Sequence, residues 1–293
     1  MSMTIAFIGL GNMGAGMAAN LLKNGYAVRA FDLSASALDK AKEAGALPCA
    51  SAGEAVRGAG AVVTMLPAGK HVEEVYNGSV FGAADAGAIL LDCSTIDVAT
   101  ARRTIAAAED KGFAMVDAPV SGGIAAANGG TLTFMVGGSD AAFERARPIL
   151  SAMGKAVIHA GGAGNGQAAK ICNNMLLGAT MVATCEAFAM AEKIGLDPQT
   201  FYDISSVSSG QSWSMTSYCP LPGVGPNSPA DNGYEGGFAA ALMLKDLKLA
   251  VEAAAAVNAS VPMGGNAEAL YQMLVNSGEG GKDFSSIIRL LRG

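Results

Sequence analysis

Lys170 and Asn174 stand four residues apart in the run Gly161–Asn174 (GGAGNGQAAKICNN). Residues at that spacing share one face of a helix, so an ammonium that can exchange a proton and a neutral amide that can hydrogen-bond an oxygen point the same way. That pairing suits chemistry on a hydroxyl or a carbonyl. The segment from Gln167 to Lys193 carries an apolar helical pattern. Burial there favours the neutral amine of a lysine, the form able to take a proton. The ordinary alternative is a lysine that snorkels its charge to water. Asn173 falls off the shared face and is expected to bond backbone or solvent.

The frame for such a pair begins at the other end of the chain. Thr4–Gly14 (TIAFIGLGNMG) reads as an apolar strand that breaks into Gly9-x-Gly11-x-x-Gly14 and then into a helix marked by Met13, Met17, Leu21 and Leu22, with Gly25 as its stop. Glycines abound in this chain, so the spacing alone is weak. Its setting between strand and helix is what counts. Gly9, Gly11 and Gly14, with Leu10, Asn12 and Met13 between them, would admit a pyrophosphate to the helix N-terminus. Asp32, at the tip of the next strand (Ala27–Asp32), would accept bonds from ribose hydroxyls. A carboxylate there repels a 2′-phosphate, and Phe31–Ser36 (FDLSAS) offers no Arg to welcome one, so the expected cofactor is NAD rather than NADP. A nucleotide site and a buried lysine together suggest hydride transfer.

Further strand candidates follow at Ala61–Leu66, Ala88–Asp92, Ala114–Ala118, Leu132–Val136 and Ala156–His159, with helical patterns between several of them. This predicts an α/β domain over residues 1–163, doubly wound on a mostly parallel sheet, whose ligands lie at the carboxyl ends of the strands. At those ends Met65 and Leu66 would offer backbone groups to a nicotinamide ribose, and Thr95 its hydroxyl or backbone; an ordinary strand-to-helix turn, with Ser94 or Thr95 as the cap, is the alternative. Asp117–Gly123 (DAPVSGG) exposes the Ser121 hydroxyl and the N–H groups of Gly122 and Gly123, a combination suited to a carboxylate. From 164 to 293 strands give way to helical patterns at Gln167–Lys193, Pro198–Ser206, Gly237–Asn258 and Gly265–Asn276, predicting an all-α second domain. The loop Tyr218–Gly237, rich in Pro, Gly and Asn, is long enough to suggest a lid or pocket wall. Trp213, the lone tryptophan, has a Ser-rich setting that fits a pocket wall as well as a core position.

Composition narrows the partners. The 293 residues are 51% hydrophobic and 15% charged with a net charge of −6, which suits a well-buried globular protein and disfavours nucleic acid. The five cysteines form no C-x-x-C pair and there are two histidines, so no metal set is expected and the thiols are expected to be reduced. The apolar run Met175–Ala191 is broken by Thr180, Thr184 and Glu186 and is expected to be a buried helix rather than a membrane span. The first strand starts almost at once, which predicts an intracellular protein without a signal peptide, in a bacterial cytoplasm in preference to a mitochondrial matrix.

At Phe7–Gly14, Asp117–Gly123, Gly164–Asn174, Ser208–Trp213 and Lys245–Leu247 the chain closely resembles the β-hydroxyacid dehydrogenases, and within them the branch acting on 3-hydroxyisobutyrate. The resemblance implies a Rossmann-like domain, a long interdomain helix (164–193) and a helical domain that packs on a partner subunit in a homodimer or homotetramer. It makes Lys170 and Asn174 catalytic, places Ser121, Gly122, Gly123 and Trp213 at a small 3-hydroxy carboxylate substrate, and puts Thr95 and Lys245 beside the cofactor, preferring Lys245 to Lys248. The implied reaction is NAD-dependent oxidation of 3-hydroxyisobutyrate to methylmalonate semialdehyde in valine breakdown. L-Serine, 3-hydroxypropionate or another 3-hydroxy acid is the alternative substrate, and a non-catalytic NAD(H) sensor is a remote one. Some relatives carry an amide a few residues past the Met65-Leu66-Pro67 turn, where this chain has Lys70 and His71. Relatives that reduce short aldehydes with NADPH carry Asn-Arg where this chain has Asp32 and Leu33.

Overall fold

The structure, a computed structural model, describes residues 3–292. Nine strands form one sheet among these residues: β1 (Thr4–Ile8), β2 (Ala27–Phe31), β3 (Leu47–Pro48), β4 (Ala61–Thr64), β5 (Ile89–Asp92), β6 (Ala114–Asp117), β7 (Val120–Ser121), β8 (Leu132–Gly137) and β9 (Gly154–Gly161). The order β3-β2-β1-β4-β5-β6-β8-β7, with β9 on β8, is parallel from β3 to β6. β8 then runs antiparallel to β6 and β7. The order reverses between β1 and β4, so the ends of these strands open a crevice where doubly wound sheets hold their ligands.

Strict alternation explains why the sheet is covered on both sides. Ile5, Phe7, Val63, Leu91 and Val116 bury on one face, and Ala6, Ile8, Val62, Leu90 and Met115 on the other. A strand apolar at every position belongs in the middle of such a sheet, and each large side chain buried there contributes about 1.5–3 kcal/mol. β3 and β7 were not anticipated from the sequence. Both are two residues long, too short to show a period, and Pro48 is tolerated in β3 because that strand lies at the edge.

Contacts divide the chain into one compact unit ending at Lys170 and a second beginning at Ile171. The second is built from the long helix Asn165–Lys193 with the helices Pro198–Ser205, Ala240–Ala256, Pro262–Leu274 and Ile287–Arg292. Its core includes Met181, Cys185, Phe188, Leu247, Tyr271 and Phe284. A Cβ on Gly178 would lie 3.0 Å from Leu247, so the absence of a side chain there lets two helices approach closely. The final helix went unanticipated in the sequence. At 29 residues the long helix exceeds the apolar run read from the sequence; it is long and apolar enough to cross a bilayer, and half of its most apolar window is buried inside the protein, as in a core helix. The 218–237 loop is anchored by its own buried residues, Cys219, Leu221, Ala230 and Tyr234, around a short 3-10 turn capped by Ser228.

Candidate active site

The glycine loop has the stereochemistry a dinucleotide needs. Gly9 has φ +96°, and a Cβ on it would lie 2.2 Å from the Met65 carbonyl oxygen. A Cβ on Gly14 would meet the Gly9 carbonyl oxygen at 2.0 Å, so the helix can pack against its own strand only without one. Gly11 differs, because nothing lies within 4 Å of its absent side chain. The first and third glycines are thus filled by the protein, and the second faces open space where a pyrophosphate can approach the backbone. Helix Gly14–Lys23 begins at Met13 with no side-chain cap; Ala15 N–H donates to the Gly11 carbonyl, and the other N–H groups of its start are placed for an anion. Asp32 is fixed in place by the loop: Leu10 N–H donates to its Oδ2 at 2.6 Å and Ser34 N–H to its Oδ1 at 2.8 Å. Its remaining lone pairs can take ribose hydroxyls, so these residues fit NAD.

The ends of β4 and β5 are joined by a buried polar network. Asp92 accepts from Thr64 Oγ1 at 2.7 Å and Ser94 Oγ at 2.6 Å, and Ser94 Oγ accepts in turn from Leu66 N–H at 2.8 Å. Tyr76 Oη lies 3.2 Å from Thr64 Oγ1. Burial pushes the Asp92 carboxyl up to about 6, with the hydrogen bonds from Ser94 and Thr64 opposing it. Burial likewise raises the neighbouring Cys93 thiol and Tyr76 phenol. Ser94 is therefore a brace between two turns and not a helix cap; Asp97 caps the helix Val98–Asp110. The N–H groups of Met65 and Leu66 are both spent internally, on the Ile8 carbonyl and on Ser94. What these two residues can offer a ligand is carbonyl oxygen and side chain. Thr95 is half-buried beside this brace.

The long helix is tied to the same sheet by side chains the sequence did not single out. Asp117, at the end of β6, accepts from Gly164 N–H and Gln167 N–H at 2.8 Å each and so caps the helix from a distant strand. Burial raises its carboxyl, and these backbone bonds counteract the shift. Gln167, fully buried, accepts from Ile96 N–H at 3.1 Å and donates to the Ser94 carbonyl at 2.7 Å. Lys170 follows one turn later and is itself buried. Ser121 lies on β7 opposite Thr133, half-buried, and Gly122 (φ +132°) and Gly123 (φ +70°) then turn into the helix Gly123–Gly129. A Cβ on Gly122 would lie 2.6 Å from that of Ala126.

In the helical unit Asn174 is buried, and its Nδ2 donates to Asp246 Oδ2 at 2.5 Å. Asn173 is exposed to solvent, and its Nδ2 also donates to Asn174 Oδ1 at 3.0 Å. Asp246 Oδ1 lies 3.2 Å from Lys245 Nζ, an ion pair without hydrogen-bond alignment. Trp213 is half exposed and stacks on Tyr218 with ring centroids 4.8 Å apart. Tyr218 donates to Asp283 Oδ2 at 2.8 Å, so the exposed indole rests on an anchored ring. Sequence reasoning missed Asp246, Gln167 and Tyr218. Asp246 sits inside a quoted motif and Gln167 precedes Lys170 by one turn, but only the fold shows their partners. Among the described residues no cluster of His, Cys, Asp and Glu could hold a metal.

Residues 4–162 match the family described as the NAD binding domain of 6-phosphogluconate dehydrogenase, and residues 164–291 the family described as NAD-binding of NADP-dependent 3-hydroxyisobutyrate dehydrogenase. An NAD-dependent L-serine dehydrogenase of Pseudomonas aeruginosa is 50% identical, over 98% of this chain and 97% of its own. A 3-hydroxyisobutyrate dehydrogenase of the same organism is also 50% identical, over 99% and 98%. The solved structure of the Mycobacterium tuberculosis 3-hydroxyisobutyrate dehydrogenase, described with L-serine, superposes with a TM-score of 0.96 at 45% identity, covering 100% of both chains.

Proposed function

Since this chain belongs to the β-hydroxyacid dehydrogenase family, we propose that it oxidises 3-hydroxyisobutyrate to methylmalonate semialdehyde with NAD, a step of valine breakdown. One observation carries the reading: Lys170 is buried on a helix whose first turn is fastened, through Asp117 and Gln167, to the strand ends that bear the candidate cofactor turns. In this reading residues 1–163 form the NAD-binding domain and 164–293 the helical one. NAD, when bound, takes up the hydride. Lys170 receives the hydroxyl proton as the carbonyl forms and returns one in the reverse direction. Asn174, one turn along the helix, holds the substrate oxygen in line. Ser121 and the N–H groups of Gly122 and Gly123 hold the carboxylate, and Trp213 forms a wall of the pocket. Gly9, Leu10, Gly11, Asn12, Met13, Gly14 and Asp32 bind the dinucleotide, with Met65, Leu66, Thr95 and Lys245 beside it. Asp32 favours NAD although one matching family is described as NADP-dependent.

L-Serine is the second candidate substrate, supported by the relative named for it at 50% identity. The protein is read as a bacterial cytoplasmic enzyme and a homodimer or homotetramer. Exposed Leu176 and Met190 on the long helix, with Ile194 just past its end, support self-association.

The test is NADH formation at 340 nm with NAD or NADP against 3-hydroxyisobutyrate, L-serine, 3-hydroxypropionate and 4-hydroxybutyrate. The expected result is highest kcat/KM for NAD with 3-hydroxyisobutyrate, and a fall in kcat of at least ~10² in Lys170→Ala with NADH binding retained. A preference for serine would overturn the substrate and keep the mechanism. Near-wild-type turnover in Lys170→Ala would overturn the role of the lysine, and no turnover of any substrate by a protein that still binds NADH would return the sensor reading.

A further inference from the structure

We infer that Asp246 is a positioning residue that sets the orientation of the Asn174 amide and the place of the Lys245 ammonium at once, coupling the substrate contact to the cofactor contact. The inference rests on the roles just proposed for Asn174 and Lys245. Four aspartates are buried among the described residues: Asp92, Asp117, Asp246 and Asp283. Three of them are held by hydroxyl and backbone N–H donors. Asp246 stands apart, because its carboxylate meets the Asn174 side-chain amide at 2.5 Å and the Lys245 ammonium at 3.2 Å.

An Asn amide can turn over, exchanging its donor and acceptor ends at little intrinsic cost. Here Asp246 forbids the exchange, since the reversed amide would set its carbonyl oxygen against a carboxylate and its NH2 group against the Asn173 donor. With Oδ1 receiving Asn173 and one Nδ2 hydrogen given to Asp246, the second Nδ2 hydrogen is left as a donor. A donor is what a substrate oxygen needs while its proton leaves, because negative charge gathers on that oxygen. Lys245 in turn sets an opposite charge 3.2 Å from the same buried carboxylate. One side chain thus fixes the polarity of one site residue and the position of another.

A double-mutant cycle in the full-length enzyme tests this, with kcat read at saturating NAD and KM for NAD read separately. Asn174→Ala is expected to lower kcat by ~10²-fold and Lys245→Ala to raise KM for NAD about tenfold. Asp246→Ala should do both, with kcat falling ~10–10²-fold, and should add little to kcat in the Asn174→Ala background or to KM in the Lys245→Ala background. Asp246→Asn, which keeps an acceptor oxygen and the volume, should recover part of kcat while KM for NAD stays raised. Multiplicative effects in both backgrounds, or a lower melting temperature with unchanged kcat and KM, would show a structural carboxylate only and overturn the inference. Normal kcat in Asn174→Ala would instead overturn the role of that amide, a separate failure visible before any Asp246 variant is measured.

Discussion

Asp117 and Asp246 are both buried carboxylates, and they are satisfied in opposite ways. In the N-terminal unit Asp117 accepts from the backbone of Gly164 and Gln167, whereas in the helical unit Asp246 accepts from a side-chain amide and faces an ammonium. The same contrast separates the two regions more widely. The dinucleotide side is made of backbone: an uncapped helix start, glycines pressed against carbonyl groups, and an Asp32 held by N–H groups. Around Asp246 the helical side instead has side chains that hold one another. Backbone donors cannot leave without unfolding the element that carries them, but side chains can be repositioned while the fold persists. Loss of Asp117 therefore costs stability first, and loss of Asp246 costs turnover first.

Three substitutions in the N-terminal unit can break or sharpen this contrast. Asp117→Ala strands two buried N–H groups, at roughly 1–3 kcal/mol each, so chemical denaturation should show a loss of about 4 kcal/mol. A loss below about 1 kcal/mol would mean that the helix start does not depend on its distant cap. Asp92 comes next. Its folded-state value of about 6 exceeds the ordinary 3.8, so between those values the folded protein binds more protons than the unfolded chain. Its contribution is fully present below pH ~4 and is lost as pH rises to ~6, in total about 3 kcal/mol. Asp92→Asn should cancel that trend: measured by urea unfolding, the variant should gain about 3 kcal/mol relative to wild type between pH 4 and pH 7. A difference that stays level with pH would refute the raised carboxyl. The smallest effect on stability belongs to Gly11→Ala. With nothing within 4 Å of the new methyl, its melting temperature should match wild type, while NADH affinity falls about tenfold or more because the methyl occupies the approach to the backbone. Unchanged NADH affinity would show that the pyrophosphate lies elsewhere.

The backbone-made region was the more legible in the sequence. Three glycines, an alternating strand and one acidic residue are local signals, and each falls within a span of about one βαβ unit. The long helix was legible from its periodicity, as were β1, β2, β4 and β5 from their apolar runs. Two-residue strands leave no periodic trace, so β3 and β7 were hidden. The side-chain partnerships were hidden for another reason: Asn174 and Asp246 lie 72 positions apart, and Gln167 and Ser94 lie 73 apart. Spacing left Lys245 indistinguishable from Lys248 as one charge on a helical stripe; the family resemblance preferred it, and the fold sets it beside Asp246. Ser94, which spacing offered as a cap, proved to be a brace because its hydroxyl has two partners from different strand ends.

The change from one compact unit to the other falls between Lys170 and Ile171, within a single uninterrupted helix. For the history and engineering of this fold, the two halves are therefore not freely interchangeable parts. A chimera joined at that seam would take Lys170 from one parent and Asn174, one turn later, from the other. The same helix would have to satisfy Asp117 at its beginning and Asp246 four residues past Lys170. A junction that keeps this proposed site whole must leave residues 164–174 in one piece, so its smallest heritable module is about three helical turns together with the two aspartates that recognise them.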